Sequence, residues 1–147
     1  MLLTACHCGA VRIEVTPAPD WVLDCNCSIC RRYGALWAYA HDRESGKRIA
    51  MALTRGADNL DTYIWGDRML GFHRCKTCGC VTHHTALDKP DQVRAVNARM
   101  FFNFDPESVE IRRRDNAHTG RFWSRPDSEI LEGGQAPAPP PGPDDWR

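Results

Sequence analysis

Eight cysteines fall into three short knots, and any fold of this chain has to place those thiols in surroundings their chemistry tolerates. The knots are Cys6-His7-Cys8-Gly9, Cys25-Asn26-Cys27-Ser28-Ile29-Cys30 and Cys75-Lys76-Thr77-Cys78-Gly79-Cys80. Each carries a Cys-x-Cys or Cys-x-x-Cys spacing, or both. Cys-x-x-Cys wraps a turn so that two sulfurs and nearby backbone amides face one point, which suits zinc held by thiolates at about 2.3 Å in a tetrahedron. Gly9 and Gly79 stand where such a turn calls for positive φ.

Three other uses of clustered thiols compete with zinc. Disulfides between partners two positions apart close a strained ring. A redox dithiol at Cys27/Cys30 or Cys75/Cys78 usually lives on a βαβ frame, and no such alternation runs through the sequence. Iron–sulfur ligation has the right ligand type, but the spacings differ from ferredoxin-type runs. A structural zinc site consumes four ligands, so eight thiols make two closed sites, or one closed and one three-ligand site with a cysteine to spare. Spacing alone does not choose between them. Cysteine pairs commonly combine across a fold, so the natural clamp joins Cys6 and Cys8 to Cys75 and Cys78, closing 67 residues of chain between residues 8 and 75. Metal binding there contributes directly to folding free energy.

The body around the knots reads as mainly β. Short stretches rich in β-branched and aromatic residues alternate with turn signals, and no window sustains a helical apolar period for three turns. Expected strands cover residues 10–16, 21–25, 36–41, 60–65, 70–74, 81–86 and 93–99. In Val11-Arg12-Ile13-Glu14-Val15, apolar residues alternate with charged ones, as in a strand with one wet face. Asp105-Pro106-Glu107-Ser108 is expected to start one helical turn, with Asp as N-cap and Pro at N1. Half of the ten prolines lie in the last eleven residues, behind Gly133-Gly134, which predicts a zinc-binding domain over 1–132 and a disordered Pro-rich tail over 133–147.

Charge excludes some partners. Lysine plus arginine equals aspartate plus glutamate, 19 each, and no long run of like charge advertises a nucleic-acid or anionic-membrane surface. The densest basic spot, Arg112-Arg113-Arg114, is read as a solvated loop. The apolar start Met1-Leu2-Leu3 is too short for a signal peptide or a membrane span. A cytoplasmic location is therefore expected, where clustered thiols serve metal or catalysis more often than disulfides.

The order Cys-x-Cys-Gly-Ala-Val-Arg near the start, Cys-Asn-Cys-Ser-x-Cys-Arg-Arg-x-Gly-Ala next and a later Cys-x-x-Cys-Gly resembles the glutathione-dependent formaldehyde-activating enzymes, whose relatives include centromere protein V. Val96-Asn97-Ala98-Arg99 followed by Phe104-Asp105 is similar to a late strand and turn of that family. The resemblance spans roughly residues 3–130. It implies a β-sheet scaffold with two zinc ions. Cys6, Cys8, Cys75 and Cys78 match the structural set, and Cys25, Cys27 and Cys30 match an open, catalytic set. The implied activity is a carbon–sulfur lyase reaction, the reversible joining of a small aldehyde to the thiol of glutathione as co-substrate to give a hemithioacetal.

The residues bear on that chemistry in several ways. An open zinc position can take a thiolate or polarise a carbonyl oxygen, and it lowers the pKa of a bound thiol. Three thiolates leave the ion a formal charge of minus one, so nearby cations would help. Arg31 and Arg32 follow the third ligand and are the candidates to offset that charge or hold a carboxylate of the thiol. Cys80 is expected to be buried as a small apolar side chain; were it to reach the second metal, both sites would be closed and the protein would be a zinc-stapled binding or scaffold module. His83 and His84 must point to opposite faces of a strand, so at most one can act near the site as acid or base. Trp37, Tyr39, Tyr63, Trp65, Phe101 and Phe102 read as core or pocket wall.

Overall fold

The computed structural model describes residues 1–43, 45–103, 105, 108–120 and 122. Ten strands among them form two sheets. The smaller is antiparallel, in the order β1 (Leu2–Ala5), β2 (Arg12–Thr16), β5 (Ala50–Arg55). The larger also contains β3 (Trp21–Cys25), β4 (Leu36–Tyr39), β6 (Leu60–Ile64), β7 (Leu70–Cys75), β8 (Val81–Ala86), β9 (Lys89–Asn97) and β10 (Glu110–Arg114). Its order is β10-β3-β4-β9-β8-β7-β6, with β10 parallel to β3 and the other neighbours antiparallel. A short helix, α1 (Ser28–Tyr33), joins β3 to β4. Among the described residues no helix is long and apolar enough to cross a membrane.

The large sheet is covered unequally on its two faces. On one, Val22, Leu36, Ala38 and Val96 pack with Ile13 and Val15 of the small sheet and with Phe101. On the other, Leu23, Cys25, Trp37, Phe72 and Ala95 pack with Cys30. Consecutive Val22 and Leu23 are both buried, because β3 has a neighbour layer on each side. Ile13, Val15 and Val22 have no exposed area, and each such burial contributes roughly 1.5–3 kcal/mol. Where the sheets meet at one end, Cys6, Val11 and Cys75 form a third cluster.

The mainly β architecture agrees with the sequence reading, and the strands at 21–25 and 81–86 have the expected limits. Besides two single-turn 3-10 helices, Ala57–Asn59 and Ala98–Met100, the second of which takes the end of the expected strand 93–99, four elements were not expected. β1 and β5 lack a run of β-branched residues, and α1 has six residues, too few for a helical period to show. The fourth corrects the reading of Arg112-Arg113-Arg114, which is strand and not solvated loop. Arg112 donates from Nε and Nη2 to Glu110 Oε1 and Oε2 at 3.0 Å each and lies 4.3 Å above the Trp21 ring. Arg113 approaches Asp24 at 3.6 Å. Each of these arginines gains tertiary partners that local sequence does not announce.

β9 starts earlier than expected and carries an irregularity: Thr85 pairs with Val93 and His84 with Ala95, so Arg94 is the extra residue of a β-bulge. At 105–108, the Ser108 amide donates to the Asp105 carbonyl at 3.0 Å, while Pro106 and Glu107 lie outside the described residues. So do the expected tail, 133–147, and the last part of the expected domain, 123–132.

Candidate active site

The fold gathers seven of the eight cysteines into two groups. Within each of the groups Cys6/Cys8/Cys75/Cys78 and Cys25/Cys27/Cys30, the sulfurs lie within 4.8 Å of one another. No fourth histidine, cysteine, aspartate or glutamate among the described residues joins the second group.

The first group is built by two matching turns from different sheets. Cys6 follows β1 and accepts from the Val11 amide at 3.3 Å, and Gly9 closes the turn at φ 74° with its amide on the Cys6 carbonyl. Cys75 ends β7, and Gly79 closes its turn at φ 76° with its amide on the Cys75 carbonyl. Both glycines thus adopt the left-handed conformation that such a turn requires. Cys8 Sγ stands 3.6 Å from Cys6 Sγ and 3.7 Å from Cys75 Sγ. A tetrahedron with bonds of about 2.3 Å has edges of about 3.8 Å, so these separations fit a shared zinc ion. They are far beyond a disulfide's roughly 2 Å, and all eight cysteines are free.

Electrostatics support the same assignment. Desolvation opposes ionisation of Cys78, yet the backbone amides of Cys80 and Cys8 and the neighbouring thiols hold it at about 6. Cys8, though exposed, is favoured as a thiolate by the Ala10 amide, but partial desolvation and its thiol neighbours Cys6, Cys75 and Cys78 push it up to about 12. Sulfurs this close share protons unevenly when only protons are available, and a divalent cation relieves the conflict for all of them.

The second group sits at the end of β3 and the start of α1. Cys27 is the residue preceding the helix, so the Cys30 and Ile29 amides face its sulfur. Its thiol is held far down, to about 2, first by hydrogen bonds from Cys25 and Cys30 and then by those amides. Cys30 is pushed up by Cys25 and Cys27. Trp37 Nε1 donates to Cys30 Sγ at 3.2 Å, and Asn116 Nδ2 donates to Cys25 Sγ at 3.3 Å. Donors aimed at sulfur favour the thiolate form a metal needs. The set therefore fits a soft divalent ion with three protein ligands.

A loop after β10 locks this centre, and sequence reading missed it. Asp115 accepts from Asn26 Nδ2 at 2.7 Å, from Thr119 Oγ1 at 3.0 Å and from His118 Nδ1 at 3.1 Å. Those bonds, Asn26 first, hold its carboxyl at about 2. Asn26 Oδ1 in turn accepts from the Ala117 amide at 2.9 Å. The partners are about ninety positions apart, so only the turn-forming character of Asp115-Asn116 was visible beforehand.

The remaining expected residues divide. Arg31 and Arg32 are exposed on the last turn of α1, and Arg32 Nη1 donates to the Ser28 carbonyl at 2.7 Å. Cys80 is half-buried and packs against the first group, beside Cys6 and Cys75, so it does not close the second. His84 lies on the face of the second group, its ring 4.8 Å from Trp37 and 5.5 Å from Phe72, with Nδ1 buried and unpartnered among the described residues. Burial, helped by the Arg94 charge, pushes it down to about 3. His83 stacks on His73 at 4.4 Å, away from that face. Trp37 and Phe101 are core, whereas Phe102 and Tyr63 are exposed.

Residues 1–114 match the family described as glutathione-dependent formaldehyde-activating enzyme. A crystal structure of a Rhodobacter sphaeroides protein, a structural-genomics target, is similar over 75% of this chain and 99% of its own, at 33% identity and a TM-score of 0.56.

Proposed function

The chain belongs to the glutathione-dependent formaldehyde-activating enzyme family, and on that premise we propose that it joins a small aldehyde to glutathione, reversibly, at the Cys25/Cys27/Cys30 centre. Membership supports aldehyde–thiol adduct chemistry broadly. The single observation that carries the finer reading is the count of ligands, three thiols gathered within 4.8 Å with no fourth protein donor among the described residues. Structural zinc sites have four protein ligands, and catalytic ones keep a place for substrate.

In the proposed reaction the thiol sulfur attacks the aldehyde carbon. A carbon–sulfur bond forms, the carbonyl π pair moves to oxygen, and the thiol proton ends on the new hydroxyl; lysis reverses each change. Cys25, Cys27 and Cys30 would hold a zinc ion, which when bound would lower the substrate thiol's pKa so that thiolate is available at neutral pH. Trp37 and Asn116 hold two ligand sulfurs in place through their N–H donors. Trp37, Phe72 and Leu23 exclude water from one side of the centre. Cys6, Cys8, Cys75 and Cys78 would hold a second zinc as a staple between the two sheets. A reducing compartment, the cytosol, keeps all these thiols available.

The test is adduct formation between formaldehyde and glutathione, followed by NMR exchange in the zinc-loaded protein. Wild type should accelerate exchange, and Cys27→Ser should abolish the acceleration while keeping one zinc and the fold. Acceleration that survives in Cys27→Ser would refute the reading. Loss of folding in that variant would make the second centre structural.

A further inference from the structure

Beside the Cys25/Cys27/Cys30 centre lies a cavity of about 520 Å³ whose lining is strongly basic. Arg43, Arg48, Lys89, Arg94 and Arg114 line it against two carboxylates, Asp42 and Asp88. Asp42 already accepts hydrogen bonds from Trp21 Nε1 and Ser45 Oγ. Arg48 and Arg94 have no ion pair or hydrogen bond from their guanidinium groups among the described residues. Unpaired cations gathered around one cavity are costly to hold together and are offset by an anionic guest.

The cavity and the thiols share one face of the sheet. Leu23, on its floor, precedes Cys25 by one pleat repeat, about 7 Å along β3. Arg114, on its wall, is the residue of β10 in register with Cys25. Tyr39, which lines the cavity together with Arg94 and Arg114, is within electrostatic reach of Cys30 and Cys25 as well as of those two arginines. The β-bulge explains how Arg94 comes to be there. Regular alternation would send it to the face opposite Ala95, and the extra residue re-aims it toward Tyr39 and His84.

Resting on the thiol–aldehyde reading of the neighbouring centre, we propose that this cavity binds the carboxylate arm of the thiol substrate, with Arg94 as the principal anchor and Arg48 and Arg114 as supporting cations. Leu23 and Arg114 bring the cavity lining to the strand positions beside Cys25, so a thiol with its sulfur at Cys25/Cys27/Cys30 and a carboxylate several bonds away would address both features. Planar guanidinium groups suit a carboxylate better than a point charge does. Arg94 is thus a specificity-determining residue for the thiol, and formaldehyde, which has no carboxylate, makes no use of it.

The experiment measures binding of S-methylglutathione, which has both carboxylates and no reactive thiol, to the zinc-loaded protein by titration calorimetry. Wild type should bind, binding should weaken with added salt, and Arg94→Met should weaken it about tenfold or more, with Arg94→Lys recovering part of the loss. The dimethyl ester of the same peptide should bind wild type at least tenfold less well. Equal affinity in wild type and Arg94→Met, equal affinity for acid and ester, or a loss confined to Arg31→Met would each overturn the proposal. To separate the two substrates as carboxylate source, glyoxylate and formaldehyde are compared with 2-mercaptoethanol as thiol. An Arg94-dependent preference for glyoxylate there, without one for glutathione over its ester, assigns the carboxylate to the aldehyde and overturns the proposal. Because binding is read without turnover, failure of the adduct chemistry leaves this result standing on its own.

Discussion

Replacing Cys75 with serine should unfasten the two sheets, and the size of the effect follows from chain geometry. Cys75 is 1% exposed at the end of β7, and its sulfur lies 3.7 Å from that of Cys8, 67 positions away. Cross-linking across a span of this length removes unfolded-state entropy equivalent to about 4 kcal/mol. The second group ties only residues 25 to 30, and the same relation gives at most about 2 kcal/mol there. Against a total stability of roughly 5–15 kcal/mol, the first loss is a large fraction and the second is not. At about 4 °C per kcal/mol for a domain of this size, Cys75→Ser should lower the melting temperature by roughly 15 °C and Cys27→Ser by less than about 8 °C. Near-UV circular dichroism in zinc-buffered solution reads both, with zinc content measured on the same samples. Equal losses in the two variants, or a Cys75→Ser shift of only a few degrees, would refute the assignment of staple and open centre.

Three further outcomes are expected. His83 and His84 are buried and held at about 3, so the unfolded chain takes up protons below pH 6.5 that the folded one refuses; stability should fall from pH 6.5 toward 3 by about 1.4 kcal/mol per pH unit for each histidine, and a urea midpoint that is flat from pH 7 to 5 would contradict this. Asp115→Ala unties Asn26 and Thr119 from the loop beside Cys25 and should weaken zinc at the second centre roughly tenfold to a hundredfold, read by competition with a chromophoric chelator, with the first centre unchanged. Trp37→Phe removes the donor to Cys30 Sγ and should cost about 1.5–3 kcal/mol as a lost bond to a charged acceptor, plus a small cavity, measured by denaturant unfolding of the zinc-loaded protein.

Local signals account for what the sequence made legible. The period-2 pattern of Val11 to Val15 marks β2 because one face meets the core and the other meets water. Cysteine spacing exposes the turns that bring neighbouring thiols together, because a turn of three or four residues fixes its own sulfur geometry, while which turns combine does not follow from spacing. What escaped depends on partners far along the chain. β10 looks like a charged loop until Arg112 finds the Trp21 ring and the strand finds β3. Arg94 is an ordinary strand residue until the unequal pairing with β8 turns it. Asn26 looks like a spacer between two thiols until Asp115 and Ala117 close on it. Cys80, the last thiol of the third knot, gave no sign of which thiol group it would stand against.

X-ray absorption at the zinc edge addresses the central assignment most directly. With four thiolates at one centre and three at the other, the protein should hold two zinc ions with about 3.5 sulfurs each on average, the remainder being light atoms, and adding glutathione should carry that average toward 4. An average of 4 sulfurs before any thiol is added, or a single zinc per folded chain, would contradict an open centre at Cys25, Cys27 and Cys30.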